Sequence, residues 1–290
     1  MRFHRLALAS ALTIALPTAM QRLAAESGTP AFAEPSISPD HSEIAFASGG
    51  DIWVVPARGG QAHLLISHAA TEGKPRYSPD GKRLAFTSTR GGSSDIHVMD
   101  LATGQITRLT FDDVAESLDN WSADSKWIYF SSSSRDIAGF NDLWRIPADG
   151  GTPMPISADR YASEYWAAPS PDGSTIAFTG RGTNAGQWWR KGHSHIDQSE
   201  IWLLRGGTIP SYTRFIGGSE KNMWPMWSAD GKTIYYVSDM TDTENLYARP
   251  AGGGENKLLT NFSDGRVLSS HRGASKIEIG DVDSIEGLGA

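Results

Sequence analysis

Short runs of alternating apolar and polar residues recur along the chain, and each follows a turn sequence of the form Ser-x-Asp. The clearest turn is Ser78-Pro79-Asp80-Gly81, after which Leu84 and Phe86 alternate with less apolar neighbours. Proline, aspartate and glycine in this order favour a tight turn, because each suits the backbone angles or hydrogen bonds that a turn requires. Alternation with a period of two indicates a half-buried strand. The pattern therefore predicts two strands joined by a tight turn.

The same turn and strand occur five times along the chain. The turns begin at Ser38, Ser78, Ser122, Ser170 and Ser228. Successive serines are 40 to 58 residues apart. A period of that size, with several strands in each unit, is typical of a propeller blade.

A second hairpin follows the first in every unit. Its first strand opens with an acid or amide followed by an aliphatic residue, at positions 51, 95, 142, 200 and 245. A glycine turn and a short fourth strand come next. Four antiparallel strands per unit predict an all-β fold, a β-propeller of four-stranded blades across residues 33–268. Five blades are recognisable, and residues 264–268 are predicted to start a sixth.

The first 25 residues differ in character from the rest. Arg2 and Arg5 precede an apolar run from Leu6 to about Leu16, and small residues follow. This layout is typical of a secretory signal peptide, and the apolar run is too short to span a bilayer. We therefore expect a periplasmic or secreted protein, with no stable membrane insertion after residues 1–25 are removed.

The net charge and the cysteine content exclude some kinds of partner and site. The net charge of the chain is −7, and it falls to about −10 without the basic amino-terminal segment. Nucleic acid binding requires clustered positive charge, so nucleic acid is excluded as a partner. The chain has no cysteine, which excludes disulfides and thiolate metal sites.

The repeat is similar to that of TolB-like propellers, and longer stretches narrow the resemblance. Residues 135–139, 151–155, 187–192 and 223–228 resemble the N-terminal propeller of tricorn-protease-like serine peptidases. In that family two propellers precede a PDZ domain and a catalytic domain. The resemblance implies a non-catalytic propeller that gates or binds peptide for a catalytic centre elsewhere, with the downstream peptidase domains missing from this chain.

Catalytic signatures are missing from the sequence, which contains neither a Gly-x-Ser-x-Gly elbow nor a His-Glu-x-x-His motif. The resemblance places the peptidase nucleophile in the downstream domain. We therefore expect no catalytic residue, no cofactor and no activity from this chain alone. The resemblance implies that it is a fragment of a longer peptidase and takes part in proteolysis in that context. Residues 269–290 depart from the repeat, and we expect a divergent, disordered tail that arose by truncation or a shifted reading frame.

A long insertion between Gly180 and Glu200 is the first candidate site, because long loops on propeller rims often carry function. It groups candidate peptide- or partner-binding residues: Trp188, Trp189, Arg190, His193 and His195. If the loop is extended, His193, His195 and Asp197 share one face and could hold zinc. The competing interpretation is a surface loop whose tryptophans pack on a neighbouring blade, and on balance no metal is expected.

Three glutamates form the second candidate site. Glu72, Glu116 and Glu164 each lie six residues before the turn serine of their blade. That register predicts a ring of carboxylates where the innermost strands begin, able to attract a peptide amino terminus or a basic side chain. The alternative is that each acid anchors an adjoining loop or pairs with a nearby lysine or arginine.

Three arginines, Arg90, Arg135 and Arg181, follow the second strand of their blades. They are expected to fix loop geometry by pairing with acids.

Two other functional classes share this repeat. One is a stand-alone periplasmic scaffold of the TolB-like type that binds a protein partner. The other is the propeller half of an exported hydrolase, such as an amidohydrolase or a prolyl-oligopeptidase-like enzyme. Fold alone does not separate these functions, because one fold hosts many of them.

Overall fold

A computed structural model describes residues 32–157, 161–181, 198–207 and 209–263. These ranges contain twenty strands and no helix. The strands form five antiparallel sheets, each of four strands, and in every sheet the strands are neighbours in chain order. Within the described ranges, no helix is long and apolar enough to cross a membrane.

The strands are numbered in chain order. The first blade contains β1 (Ala33–Ile37), β2 (Glu43–Ser48), β3 (Asp51–Pro56) and β4 (His63–Ile66). The second contains β5 (Glu72–Tyr77), β6 (Arg83–Ser88), β7 (Asp95–Asp100) and β8 (Ile106–Arg108). The third contains β9 (Glu116–Trp121), β10 (Trp127–Ser132), β11 (Asp142–Pro147) and β12 (Met154–Pro155). The fourth contains β13 (Ser163–Pro169), β14 (Thr175–Arg181), β15 (Ser199–Arg205) and β16 (Ser211–Ile216). The fifth contains β17 (Asn222–Trp227), β18 (Thr233–Ser238), β19 (Asn245–Pro250) and β20 (Lys257–Leu258).

The five sheets stand in a ring as propeller blades, which confirms the predicted fold class. The first strands of successive blades, β1, β5, β9, β13 and β17, contact one another in turn along the inside of the ring. The predicted start of a sixth blade, at residues 264–268, and the tail at 269–290 lie outside the described residues.

The Ser-x-Asp turn closes the first hairpin of each blade by the same set of hydrogen bonds. The serine Oγ donates to the aspartate Oδ1 at 2.6–2.7 Å. It also accepts the N–H of the residue five positions later at 2.9–3.1 Å. The bonds from Ser38 and Ser42 hold the pKa of Asp40 at about 2. One serine thus satisfies the backbone at the base of each hairpin, which explains why the turn repeats so faithfully.

A bulge or irregularity interrupts the inner strand of all five blades. In four of them it contains a non-glycine residue with positive φ: Glu34 (55°), Lys74 (49°), Trp166 (55°) and Trp224 (53°). Strand pairing shifts register at these points. Positive φ is uncommon for such residues and costs energy, so the surrounding structure must hold it. Carboxylates from the preceding blade supply part of that support. Glu34 Oε2 accepts the Lys74 N–H at 2.7 Å, and Asp119 Oδ2 accepts the Ala167 N–H at 3.1 Å.

The hydrophobic core is divided among the spaces between blades. One cluster joins Ile96 and Leu109 of the second blade to Phe130 and Trp144 of the third. Similar clusters join the first and second, third and fourth, and fourth and fifth blades. Each blade is therefore stabilised by its neighbour, as expected for radially repeated sheets.

Candidate functional site: the upper face of the propeller

One face of the ring collects all the long connections. Because the strands alternate in direction, the loop between the second and third strands of each blade lies on the same side as the connection to the next blade. We call this side the upper face. Backbone hydrogen bonds connect neighbouring blades on this face. In each, a residue at the start of an inner strand donates its N–H to a loop of the preceding blade. The Glu72 N–H donates to Gly50 O, the Glu116 N–H to Ser94 O and the Glu164 N–H to Asn141 O, each at 2.7 Å.

The three predicted glutamates lie where the sequence register places them, at or beside the start of the inner strands. All three are at least nine-tenths buried. In the second blade, Glu72 Oε1 accepts a hydrogen bond from Ser88 Oγ at 3.0 Å and lies 3.0 Å from Arg90 Nη2. Arg90 also lies over the ring of Phe86. This carboxylate therefore anchors the adjoining loop, as expected for Arg90.

Glu116 and Glu164 share a different arrangement, in which a hydroxyl stands between the acid and the backbone. Thr110 Oγ1 accepts the Ile96 N–H at 2.9 Å and donates to Glu116 Oε2. Ser157 Oγ accepts the Leu143 N–H at 3.1 Å and donates to Glu164 Oε2. The position of these acids in the repeat was predicted from the sequence. That hydroxyls just after the fourth strands, β8 and β12, bind them was not. The contacts favour the interpretation that the acids anchor loops.

Glu116 differs electrostatically from an ordinary surface acid. Burial raises its pKa to about 7, and the negative charges of Asp95 and Asp112 act in the same direction. The hydrogen bond from Thr110 and the charge of Arg108 oppose the rise. Burial likewise raises the pKa of Asp95, although Arg108 Nη2 lies 2.9 Å from its Oδ1. The Glu116 carboxyl group therefore ionises near neutral pH.

A cavity of about 220 Å³ opens beside Glu116, between the second and third blades. Its polar lining includes Asp112 and Arg135, and its apolar lining includes Phe130 and Trp144. The Arg135 guanidinium lies 5.2 Å from the centre of the Trp144 ring, a cation–π contact. The cavity thus combines aromatic walls with acid and guanidinium groups, as small-ligand pockets do.

Exposed apolar side chains concentrate on the upper face. Of the ten large hydrophobic residues that are exposed within the described ranges, six lie on upper-face segments: Phe32, Phe111, Ile137, Tyr161, Met240 and Phe262. These side chains make the upper face a candidate surface for contact with other molecules.

The insertion predicted as a binding loop connects β14 to β15, whose ends pair at Arg181 and Ser199. Its ends therefore open onto the upper face. The candidate residues Trp188, Trp189, Arg190, His193 and His195 lie outside the described residues, as does Asp197 of the possible zinc site. In the rest of the chain that the structure describes, no group of three acids or histidines is arranged to hold a metal ion.

Comparison with known proteins identifies the family. Residues 29–278 match the model of the tricorn protease N-terminal β-propeller domain. The chain belongs to that family. The match continues beyond residue 268, where the visible repeat ends.

Tricorn proteases and an uncharacterised protein are among the relatives that this chain matches. Tricorn protease homolog 1 of Streptomyces coelicolor is 28% identical over 220 residues, which cover 74% of this chain and 20% of that protein. An uncharacterised protein of Agrobacterium fabrum is 29% identical over 210 residues, which cover 69% of this chain and 68% of that protein. The chain therefore spans only about a fifth to a quarter of the tricorn proteases that it matches.

Solved structures agree on the fold of the tricorn-type propeller. The tricorn protease crystal structure superposes with a TM-score of 0.66 at 19% identity, covering 82% of this chain and 23% of that one. TolB of Acinetobacter baumannii superposes with a TM-score of 0.60 at 22% identity, covering 79% of this chain and 56% of that one. At these sequence identities the structural similarity shows a shared TolB-like fold and nothing about function.

Proposed function

We propose that this propeller is a non-catalytic module that binds and gates peptide substrates for a tricorn-like serine peptidase. Membership of the tricorn N-terminal propeller family supports this role. The match to only about a fifth to a quarter of the tricorn relatives supports the further proposal that the chain is a fragment acting with peptidase domains. The catalytic groups would then belong to those domains, and this chain alone would not hydrolyse peptides.

The observation that carries the proposal is the composition of the upper face. Six exposed apolar side chains lie on upper-face segments, and backbone hydrogen bonds hold connections on this face to the next blade. Peptides bind such surfaces through apolar side chains, while polar groups at a few points fix their orientation.

The insertion between β14 and β15 is proposed to contact the peptide. Trp188, Trp189 and Arg190 offer aromatic and cationic groups of the kind that dominate binding energy at interfaces. His193 and His195 are proposed as further contacts. Glu72 and Glu164 would keep the upper-face loops in place, and Glu116 would in addition face the ligand.

A peptide-binding measurement tests the proposal. A fluorescently labelled unstructured peptide is titrated with the purified chain, and binding is followed by anisotropy. We expect saturable binding without hydrolysis, and we expect the double variant Trp188→Ala/Trp189→Ala to weaken it. Replacing the exposed Leu64 and Leu258 on outer strands provides the matched apolar control, with no expected effect. Binding that is absent, or that depends on the outer strands alone, would contradict the proposal.

Residues 1–25 are proposed to direct export, so that the mature protein acts in the periplasm or outside the cell. Amino-terminal sequencing of the protein from the exported fraction tests this proposal. We expect the mature chain to begin shortly after residue 25. Full-length protein in the cytoplasmic fraction alone would overturn it.

A stand-alone binding scaffold is the second candidate function, and one comparison favours it. The Agrobacterium fabrum relative is matched over 68% of its own length, so the propeller makes up most of that protein. Co-purification of the tagged chain with a peptidase, accompanied by faster peptide hydrolysis, would support gating. Co-purification with another exported protein and no change in hydrolysis would support the scaffold.

A further inference from the structure

The second and third blades each carry a glutamate at the start of the inner strand and an arginine after the second strand, but the two pairs are arranged differently. In the second blade the arginine pairs with the glutamate, and Arg90 Nη2 lies 3.0 Å from Glu72 Oε1. In the third blade the arginine is Arg135, which lies one position further from its strand than Arg90 does, and the glutamate is Glu116. Neither makes an ion pair with any residue that the structure describes. Arg135 lies instead over Trp144, and Glu116 binds Thr110.

The separation of this pair leaves space between the two side chains. Both Glu116 and Arg135 line the 220 Å³ cavity between the second and third blades. Within the described part of the chain, the bond from Thr110 to Oε2 is the single hydrogen bond to the Glu116 carboxylate, so Oε1 remains available to a ligand. The other walls are largely apolar and include Leu109, Phe130 and Pro153. The cavity therefore presents one acceptor and one donor group across an apolar space.

The electrostatic surroundings favour a cation next to Glu116. Asp112 lines the same cavity, and Asp95 lies close enough to act on Glu116. Of the two cations nearby, Arg108 already pairs with Asp95, and Arg135 lies over the Trp144 ring. A ligand ammonium would complete the charge balance of the acids, while a ligand carboxylate would meet them as a like charge.

We propose that this cavity binds the free amino terminus of a peptide whose first side chain is apolar. The ammonium group donates to Glu116 Oε1, the first side chain packs against Leu109 and Phe130, and the first carbonyl oxygen accepts from Arg135. This inference rests on the proposed peptide-binding function, and it names the part of the peptide that is recognised. The volume suits a single apolar residue and its amino group, so selection acts on peptide ends rather than on internal segments.

Three peptides that differ only at their ends test the proposal by isothermal titration calorimetry. They are Leu-Gly-Gly amide, its N-acetyl derivative, and N-acetyl Leu-Gly-Gly with a free carboxylate. We expect the first to bind and acetylation to weaken its affinity roughly tenfold or more, because a hydrogen bond to a charged group is lost. The third peptide should bind no better than the second. Equal binding of the first two, or stronger binding of the third, would overturn the proposal.

Two variants locate the binding site. Glu116→Gln should weaken binding of Leu-Gly-Gly amide roughly tenfold and leave the weak binding of the acetylated peptide unchanged. Ser134→Trp fills the cavity without altering Glu116 and should abolish binding of the amide. Glu255→Gln, at an exposed position outside the cavity, is the charge-matched control and should bind normally. Circular dichroism of each variant establishes that the protein is folded before titration.

The outcome also separates this inference from the broader function. If a long unstructured peptide binds the propeller equally well with free and acetylated amino termini, and Glu116→Gln has no effect, then peptide binding stands and the amino-terminal site is wrong. If neither the long nor the short peptides bind, the proposed function fails together with the site.

Discussion

Replacing Glu116 by glutamine should change the pH dependence of the stability of the propeller. The buried acid has a pKa of about 7, above the 4.5 that is ordinary for glutamate. Between these two values the folded state binds a proton that the unfolded state has lost. Stability therefore falls as pH rises through this window. Glutamine keeps the shape and the acceptor for Thr110 but cannot ionise, so the variant should not lose this stability.

The size of the effect follows from the difference between the two pKa values. Each pH unit of difference corresponds to about 1.36 kcal/mol, so full ionisation of Glu116 costs about 3 kcal/mol of unfolding free energy. Between pH 5 and pH 8 the loss amounts to about 2.5 kcal/mol. This is an upper value, because solvent that enters the cavity beside Oε1 screens the charge.

The prediction is tested by urea unfolding of the wild type and Glu116→Gln across this pH range, which gives the unfolding free energy of each. Tryptophan fluorescence and circular dichroism should give coincident transitions, so that a two-state free energy is meaningful. The variant should gain stability relative to the wild type as pH rises, whereas Glu255→Gln should show no such trend. A constant difference would show that folding does not shift the pKa of Glu116, and a variant destabilised more at high pH would show that the folded state stabilises the ionised form; either result would refute the prediction.

Two further substitutions test the contacts that hold the upper face and the blade turns. Arg90→Gln leaves the buried Glu72 carboxylate without its cation and should cost about 3–5 kcal/mol, whereas Lys232→Gln at an exposed ion pair should cost less than about 1 kcal/mol in the same urea titration. Equal effects would remove the role assigned to the Arg90 pair. Ser78→Ala removes a buried hydroxyl that closes a blade turn and should cost about 1–3 kcal/mol, while Ser219→Ala should be near neutral in thermal unfolding. A neutral Ser78→Ala would show that the turn does not depend on this hydroxyl.

The blade architecture was predictable because local chemistry and global pairing agree in every repeat. Ser78 and Asp80 show why, since one hydroxyl and one carboxylate satisfy the backbone at the base of the hairpin. The alternation after the turn then decides which side chains enter the space between blades. Local rules were sufficient for the fold because each blade is a short, self-contained unit that contacts its neighbours in chain order.

The bulges of the inner strands were not predicted, although the sequence contains a signal for three of them. Pro35, Pro75 and Pro225 each follow a residue with positive φ. Proline inside a predicted strand indicates a bulge or an edge, because it cannot donate to the ladder. Trp166 has the same backbone conformation without a following proline, and the tertiary contacts at its bulge include the Trp224 ring and the Asp119 carboxylate that accepts the Ala167 N–H.

The buried contacts of the glutamates could not be deduced from their position in the repeat, because the hydroxyls that bind them come from other segments of the chain. Register alone suggested a ring of equivalent charges at the mouth of the ring. The actual partners are a serine and an arginine for Glu72 and a threonine for Glu116. Threonine and serine at the matching positions of the fourth-strand segment were visible in the sequence, but their distance from the acids is a tertiary property.

Variation at one repeat position explains how a regular fold acquires a specific site. Six residues before the turn serine, successive blades carry Phe32, Glu72, Glu116, Glu164 and Asn222. In the second to fifth blades a hydrogen bond holds the backbone at this position to the preceding blade, so a change of side chain there alters the local chemistry without moving the strand. An arginine closes the space beside Glu72, whereas the space beside Glu116 is open to a ligand. Because the scaffold is fixed, such a site is preorganised, and its affinity depends on the few groups that line it.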